Sequence, residues 1–341
     1  MKPAKRYLFV LFAAVLLLTS CEVEFSPNAE WKEIPVVYCL LDQDDDTTWA
    51  RVERCYLGEG SIYSYSAISD SINYPAGSIS VWLVEQRDGT EVLHPFRDTV
   101  LDRAPGAFAS TAQPIYYLPS RNLLKDYATY DIRVVRTADG QLLAHAKQPI
   151  QLIVRNPDDS VFTKPNFTYN PLQHTYRGMF AFKNSGNTCQ MEWPALQNAR
   201  LYQPFVRFYY AVDGERRYID VRTPSVSSIN NADRYTLYYS ATSFLSNVKD
   251  QLKDDPRPKE YLKEVELYLT ACSEDFSAYM SNVAAAGNLD QSRELYSNIE
   301  GGRGIFAARR THLHRWYPAD SSVLSMPPGL AWQLKQLQVG F

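Results

Sequence analysis

Three Asp-Gly dipeptides, at 88–89, 139–140 and 213–214, each stand beside a short run of apolar and polar residues in alternation. An Asp-Gly pair accepts the positive backbone angles of a tight two-residue turn, so each pair predicts a β-hairpin. Ile79 to Gln86 leads through the first turn into Glu91-Val92-Leu93. Tyr130, Ile132 and Val134 alternate against Asp131, Arg133 and Val135, and the second turn returns the chain through Gln141 to Ala144. Upstream, Ile34–Leu41 and Trp49–Cys55 flank the charged run Asp42–Thr48, a further hairpin. Residues 58–77, rich in Gly, Ser and Tyr, read as a long loop. Short strands with almost no helical period predict an antiparallel β-sandwich of immunoglobulin or fibronectin type across residues 31–154. Asn156-Pro157-Asp158-Asp159 reads as a linker.

Residues 155–341 continue the pattern and then interrupt it. Strands are expected at 179–182, 188–193, 202–212 and 217–221. Phe244, Leu245, Val248 and Leu252 then share one helical face, giving a helix over 243–253 with Ser243 as N-cap. Val265, Leu267 and Leu269 alternate as a strand. Ser273 opens a second helix over 273–286, with Glu274 and Asp275 where the helix dipole favours negative charge. Phe276, Tyr279, Met280 and Val283 form its apolar face, and Gly287 ends it. The expected fold class is mainly β, with a second β-rich domain carrying one or two short helices.

The start of the chain carries an address. Lys2, Lys5 and Arg6 precede an apolar run from Tyr7 to Leu18, and Leu18-Thr19-Ser20-Cys21 follows. A basic stretch, a short apolar run and small residues make a secretory signal. The cysteine placed directly behind them resembles the lipobox of bacterial lipoproteins, in which that thiol takes up lipid. Residues 1–20 are thus the expected signal, Cys21 the lipidation site and residues 21–30 a tether. The apolar run is shorter than the ~20 residues that cross a bilayer. Removing the signal, which has three positive and no negative charges, takes the net charge from −3 to −6. No concentrated basic surface is expected, and nucleic acid is not an expected partner.

Two stretches carry a family resemblance. Glu22 and Glu24, close behind Cys21, are similar to the acidic export signal of Bacteroidota surface lipoproteins. Asp275-Phe276-Ser277-Ala278-Tyr279, followed by Tyr296 to Ala308 with Asn298, Gly301, Gly302, Gly304 and Phe306, resembles the lipoprotein family called domain of unknown function 4249. The resemblance implies an outer-membrane, lipid-anchored protein facing the cell exterior, often encoded beside TonB-dependent transporters and their lipoprotein lids. The family has no characterised activity, so it implies no catalytic residues.

Several clusters are candidates for chemistry. Gly301-Gly302-Arg303-Gly304 lacks both the dinucleotide fingerprint and the P-loop lysine, so its glycines are read as serving a tight turn or a close backbone approach. Asp42, Asp44 and Asp46, with Glu53 eleven residues after Asp42, echo a calcium loop. Thr47 stands where such a loop needs glycine, so a solvated turn is the favoured reading and calcium the one candidate cofactor. His312 and His314 have the spacing of two metal ligands on a strand, in surroundings made positive by Arg309, Arg310 and Arg315. Cys39, Cys55, Cys189 and Cys272 are candidates for disulfides in an exported protein, Cys39 and Cys55 across the first hairpin; buried free thiols are the alternative. Tyrosine outnumbers phenylalanine 24 to 15, and the pairs 63/65, 116/117, 209/210 and 238/239 are candidate stacking platforms for sugars or peptides. No nucleophile elbow occurs. The expected function is a non-enzymatic binding or accessory subunit near a transport complex. A structural or adhesive role and a glycan or peptide hydrolase are the alternatives.

Overall fold

The computed structural model describes residues 32–55, 68–102, 113–154, 168–170, 175–177, 188–228, 232–286, 296–316 and 334–341. The signal, Cys21, the tether, the strand expected at 179–182, the linker, Gly287, Tyr63 and Tyr65 lie outside them. The described chain is mainly β, as expected.

The N-terminal sandwich consists of a small sheet facing part of a large one. The small sheet contains β3 (Ile79–Arg87), β4 (Thr90–Pro95), β7 (Thr129–Arg136), β8 (Leu142–Ala146), β9 (Ile150–Gln151) and β18 (Ile299–Glu300). Its main order is β18-β8-β7-β3-β4, with β9 also on β7. The facing strands are β1 (Pro35–Asp42), β2 (Thr47–Arg54), β5 (Arg97–Leu101) and β6 (Gln113–Pro119). Alternation puts Val37, Cys39 and Leu41 of one sheet against Val81, Leu83, Ile132 and Val134 of the other, and all seven are essentially inaccessible. At two of the Asp-Gly hairpins the turn forms as read: Asp88 and Gly89 have φ 49° and 77°, Asp213 and Gly214 54° and 79°.

The large sheet does not stop at residue 154. Its order is β14-β13-β17-β19-β1-β2-β6-β5, where β13 is Leu201–Val212, β14 Glu215–Arg222, β17 Glu260–Cys272 and β19 Arg303–Trp316. β1 pairs with β19 in parallel from Val36↔Arg303 to Asp42↔Arg309, an exception to the antiparallel expectation. Ile299, Phe306 and Ala308 accordingly join the core of the N-terminal sandwich. A second core lies between the other end of this sheet, the pair of β12 (Thr188–Pro194) with β16 (Arg234–Ser240), and the helix α2 (Ala241–Leu252). Trp193, Tyr202, Phe208, Leu267 and Leu269 are fully buried there.

Helix starts differ from the reading in detail. The cap of α2 is Ser240, whose hydroxyl accepts from the Ser243 amide at 3.4 Å, three residues before the expected start. The second helix, α3 (Glu274–Ala286), begins where expected, but the Ser273 hydroxyl accepts from the Ala308 amide of β19. The part of residues 58–77 that is described holds one helical turn, α1 (Ser69–Ile72).

The candidate disulfide across the first hairpin is not formed, and the alternative of free thiols holds at Cys39, Cys55 and Cys272. Cys39 faces Ala50, whereas the Cys55 amide bonds the Ile34 carbonyl, five residues back along the strand. That offset is about 16 Å, beyond the ~7 Å a disulfide spans. Cys272 sits between Leu201 and Arg309 on the large sheet, while Cys189 belongs to the β12–β16 pair. Burial pushes the Cys272 thiol up to about 12.

Candidate functional site

The C-terminal glycine motif forms a corner where the chain passes from one sheet of the sandwich to the other. β18 ends on β8 at Glu300, and β19 begins on β1 at Arg303. A Cβ on Gly301 would lie 2.3 Å from the Leu143 carbonyl oxygen, and one on Gly302 2.6 Å from that of Pro35. At Gly304, with φ +111°, it would lie 2.0 Å from the Val37 oxygen. Asn298 fixes the corner: its Nδ2 donates to the Phe306 carbonyl at 2.7 Å and its Oδ1 accepts from the Phe306 amide at 2.9 Å. The motif therefore serves close backbone approach, as the glycines suggested.

The calcium candidates do not converge. Glu53 faces Val36, six residues and about 20 Å along the strand from Asp42, and pairs with Arg51. The aspartates are instead met by arginines. Arg309 Nε donates to Asp42 at 2.9 Å and approaches Asp45 at 3.5 Å; Arg310 approaches Asp44 at 3.5 Å and Asp126 at 3.4 Å. Arg121 grips both oxygens of Asp46. These contacts tie the first turn to β19 and to the loop after β6. Among the described residues no three His, Cys, Asp or Glu side chains are grouped as a metal site. His312 is buried, opposite Leu269.

The tyrosine pairs divide as strand geometry requires, with one exception. Tyr116 and Tyr239 are buried, whereas Tyr238 is exposed and Tyr117 half-buried. Tyr209 and Tyr210 are both buried, on opposite faces. Tyr210 joins the core; Tyr209 lies in an outer layer that sequence reasoning missed. Its hydroxyl and that of Tyr268 donate to Glu266 Oε2 at 2.7 and 2.8 Å. Arg207 donates to both Asp220 oxygens at 2.6 and 2.8 Å, with its guanidinium 4.0 Å from the Tyr218 ring centroid. Phe205 stacks on Tyr268 at 4.4 Å, and Arg216 covers Tyr209 at 3.8 Å. The signal for it was the i, i+2 pairing of Arg207 with Tyr209 and of Glu266 with Tyr268, legible only once the strands are known to be neighbours. Acids, guanidiniums and hydroxyls satisfy one another here, so this tile stiffens the sheet.

Desolvated phenols predict the alkaline behaviour. Desolvation pushes Tyr116, Tyr130 and Tyr268 up to about 12, with the Glu266 carboxylate adding to the rise at Tyr268. An unfolded tyrosine ionises near pH ~10, so the folded state disfavours the phenolate. This contribution is intact below pH ~10 and is lost as pH rises from ~10 through 12, where the unfolded chain sheds protons first. Tyrosinate absorbance followed beside circular dichroism should show these phenols titrating together with unfolding; full titration at pH ~10 in a folded protein would refute it.

Among the described residues, two of the clefts on the sandwich carry charged side chains. One, of about 400 Å³, lies on the outer face of the small sheet around Trp82, Asp131, Arg133 and His145. There Arg133 is held by Glu91 at 2.7 and 3.0 Å and by Asp131 at 3.2 Å. The other, of about 420 Å³, opens at the end of the sandwich between the two sheets and includes Glu33, Arg54, Tyr74, Ile79 and Arg136.

The surface beside them is also unusual. Residues 90–101 run as β4 on the small sheet, turn at buried Phe96, and continue as β5 on the large one. Among the described residues each is the terminal strand of its sheet, and Val92, Leu93, Val100 and Leu101 are 46–56% exposed. Trp49, 43% exposed, stands nearby with its ring 5.8 Å from Tyr117.

No protein-family model matches the chain, and no curated protein matches it.

Proposed function

We propose that this protein is a lipid-anchored outer-membrane lipoprotein, facing the cell exterior, that serves as a binding or accessory subunit beside a TonB-dependent nutrient transporter. Support for the anchor is the sequence before Cys21. The observation that carries the binding role is the double edge at 90–101, open among the described residues. Terminal strands expose unpaired backbone groups, and natural proteins usually blunt them with charge or cover them. Here four apolar side chains project from the two strands, a surface suited to strand addition by a partner. The same edge favours a second reading, a structural or adhesive component that exchanges strands with other copies.

Detergent-solubilised outer membranes carrying the tagged full chain test both. Cys21→Ser should move the protein out of the membrane fraction. The wild type should recover a defined membrane partner, and the exposed double substitution Leu93→Lys with Val100→Lys should lose it while retaining the fold. Recovery of other copies of the chain alone supports the structural reading. Recovery of nothing, or equal recovery by the variant, refutes the docking role.

A further inference from the structure

The outer face of the small sheet looks away from the core, and among the described residues no helix packs on it. Strand register sets its side chains in a row. Arg133 of β7 stands directly opposite His145 of β8 on one side and Trp82 of β3 on the other. These three border the cleft of about 400 Å³ together with Leu93, Val135 and Leu142. That volume falls within the ~300–1,000 Å³ of small-molecule sites. Leu93 and Leu142 are 51% and 47% exposed, so large apolar side chains lie uncovered beside charged ones, as in a ligand groove.

The polar groups of this row are fixed, and their charge is balanced. Arg133 donates to the two Glu91 oxygens at 2.7 and 3.0 Å and to Asp131 at 3.2 Å. Asp131 is itself buried and accepts from the Ala146 amide at 2.9 Å. A guanidinium has five N–H donors, so those three bonds leave two for a ligand. His145 Nδ1 lies 2.8 Å from the Ala146 carbonyl oxygen, which places the ring hydrogen there. Its Nε2, 3.8 Å from the nearest Glu300 oxygen, is left as an acceptor. Donors and an acceptor thus stand side by side, matching a hydroxyl, which both accepts and donates. Half-buried Trp82 supplies an aromatic wall, whose negative π face suits C–H groups.

We propose that this cleft binds a neutral glycan, with sugar hydroxyls meeting Arg133 and His145 and a C–H face of the ring lying against Trp82. An anion finds the charge of Arg133 already balanced, with Glu91 and Asp131 beside it. A cation meets the guanidinium between Trp82 and His145. A wholly apolar ligand leaves the free donors of Arg133 without acceptors.

The inference goes beyond the docking reading and needs no partner, so it is tested on the purified full chain in a detergent without a sugar headgroup. The measurement is affinity electrophoresis through gels containing dextran, laminarin, pullulan, galactomannan or polygalacturonate. At least one of the neutral polymers should retard the wild type more than polygalacturonate does, and added salt should not relieve the retardation. Trp82→Ala should weaken binding about tenfold or more. Leu142→Glu, at an exposed position, should weaken it likewise while keeping the urea midpoint. Trp49→Ala, an exposed tryptophan elsewhere, and Val100→Lys, on the docking edge, should leave it unchanged. Leu93 borders both the cleft and that edge and is therefore kept. Retardation by none of the neutral polymers overturns the proposal, as does stronger retardation by polygalacturonate. So does unchanged binding in both cleft variants, or a loss with Trp49→Ala equal to that with Trp82→Ala.

Discussion

Gly304→Ala is expected to destabilise the protein by about 3 kcal/mol or more. The added methyl would sit 2.0 Å from the Val37 carbonyl oxygen, 2.8 Å from its carbon and 2.9 Å from its nitrogen. All three are backbone atoms of β1, so no side-chain rotation relieves the clash. The φ of +111° adds strain for any residue with a Cβ. Relief requires β1 and β19 to part where they pair at Val37↔Gly304, with Cys39, Leu41, Phe306 and Ala308 beside them in the core. A urea midpoint equal to that of the wild type would refute this account of the glycines.

Asn298→Ala is the second large effect, about 2–4 kcal/mol. The side chain satisfies both the amide and the carbonyl of Phe306, and both bonds are buried. Alanine leaves two backbone groups without partners in a place water does not reach, and the desolvation penalty of each is exposed in full. Asn298→Asp keeps an acceptor for the Phe306 amide but offers no donor to its carbonyl at neutral pH, so it should also lose stability. Asn298 and Gly304 hold one corner, and the double variant should therefore lose less than the sum of the two. Strict additivity in urea unfolding would show that they act separately.

Period-two alternation made the strands readable, and the Asp-Gly pairs fixed where hairpins turn. Burial of Val265, Leu267 and Leu269 in the observed strand follows directly from that alternation. What local pattern does not encode is which distant strands become neighbours. Nothing in Pro35–Asp42 announces a partner at Arg303, because a parallel pair needs no adjoining turn to declare it. The choice between a disulfide and free thiols turned on the same point: two cysteines flanking a hairpin meet only when its register places them opposite. Arg54, Tyr74 and Arg136 could not be grouped from the sequence, since only the stacking of two sheets brings them to one cavity. The glycine motif was legible because its residues are contiguous and their constraint is steric.

The pairing of β1 with β19 also sets a timetable for folding. More than 260 residues separate the partners Val36 and Arg303. A chain emerging from the ribosome therefore makes β1 long before the strand it pairs with. Until Arg303–Trp316 arrives, one edge of β1 lacks its backbone partner, and the first core lacks Phe306 and Ala308. Such long-range closure gives slow folding and a long interval in which an apolar strand edge is open to wrong neighbours. Nascent chains halted before residue 299 should accordingly engage holdase chaperones, and chains completed through 316 should release them.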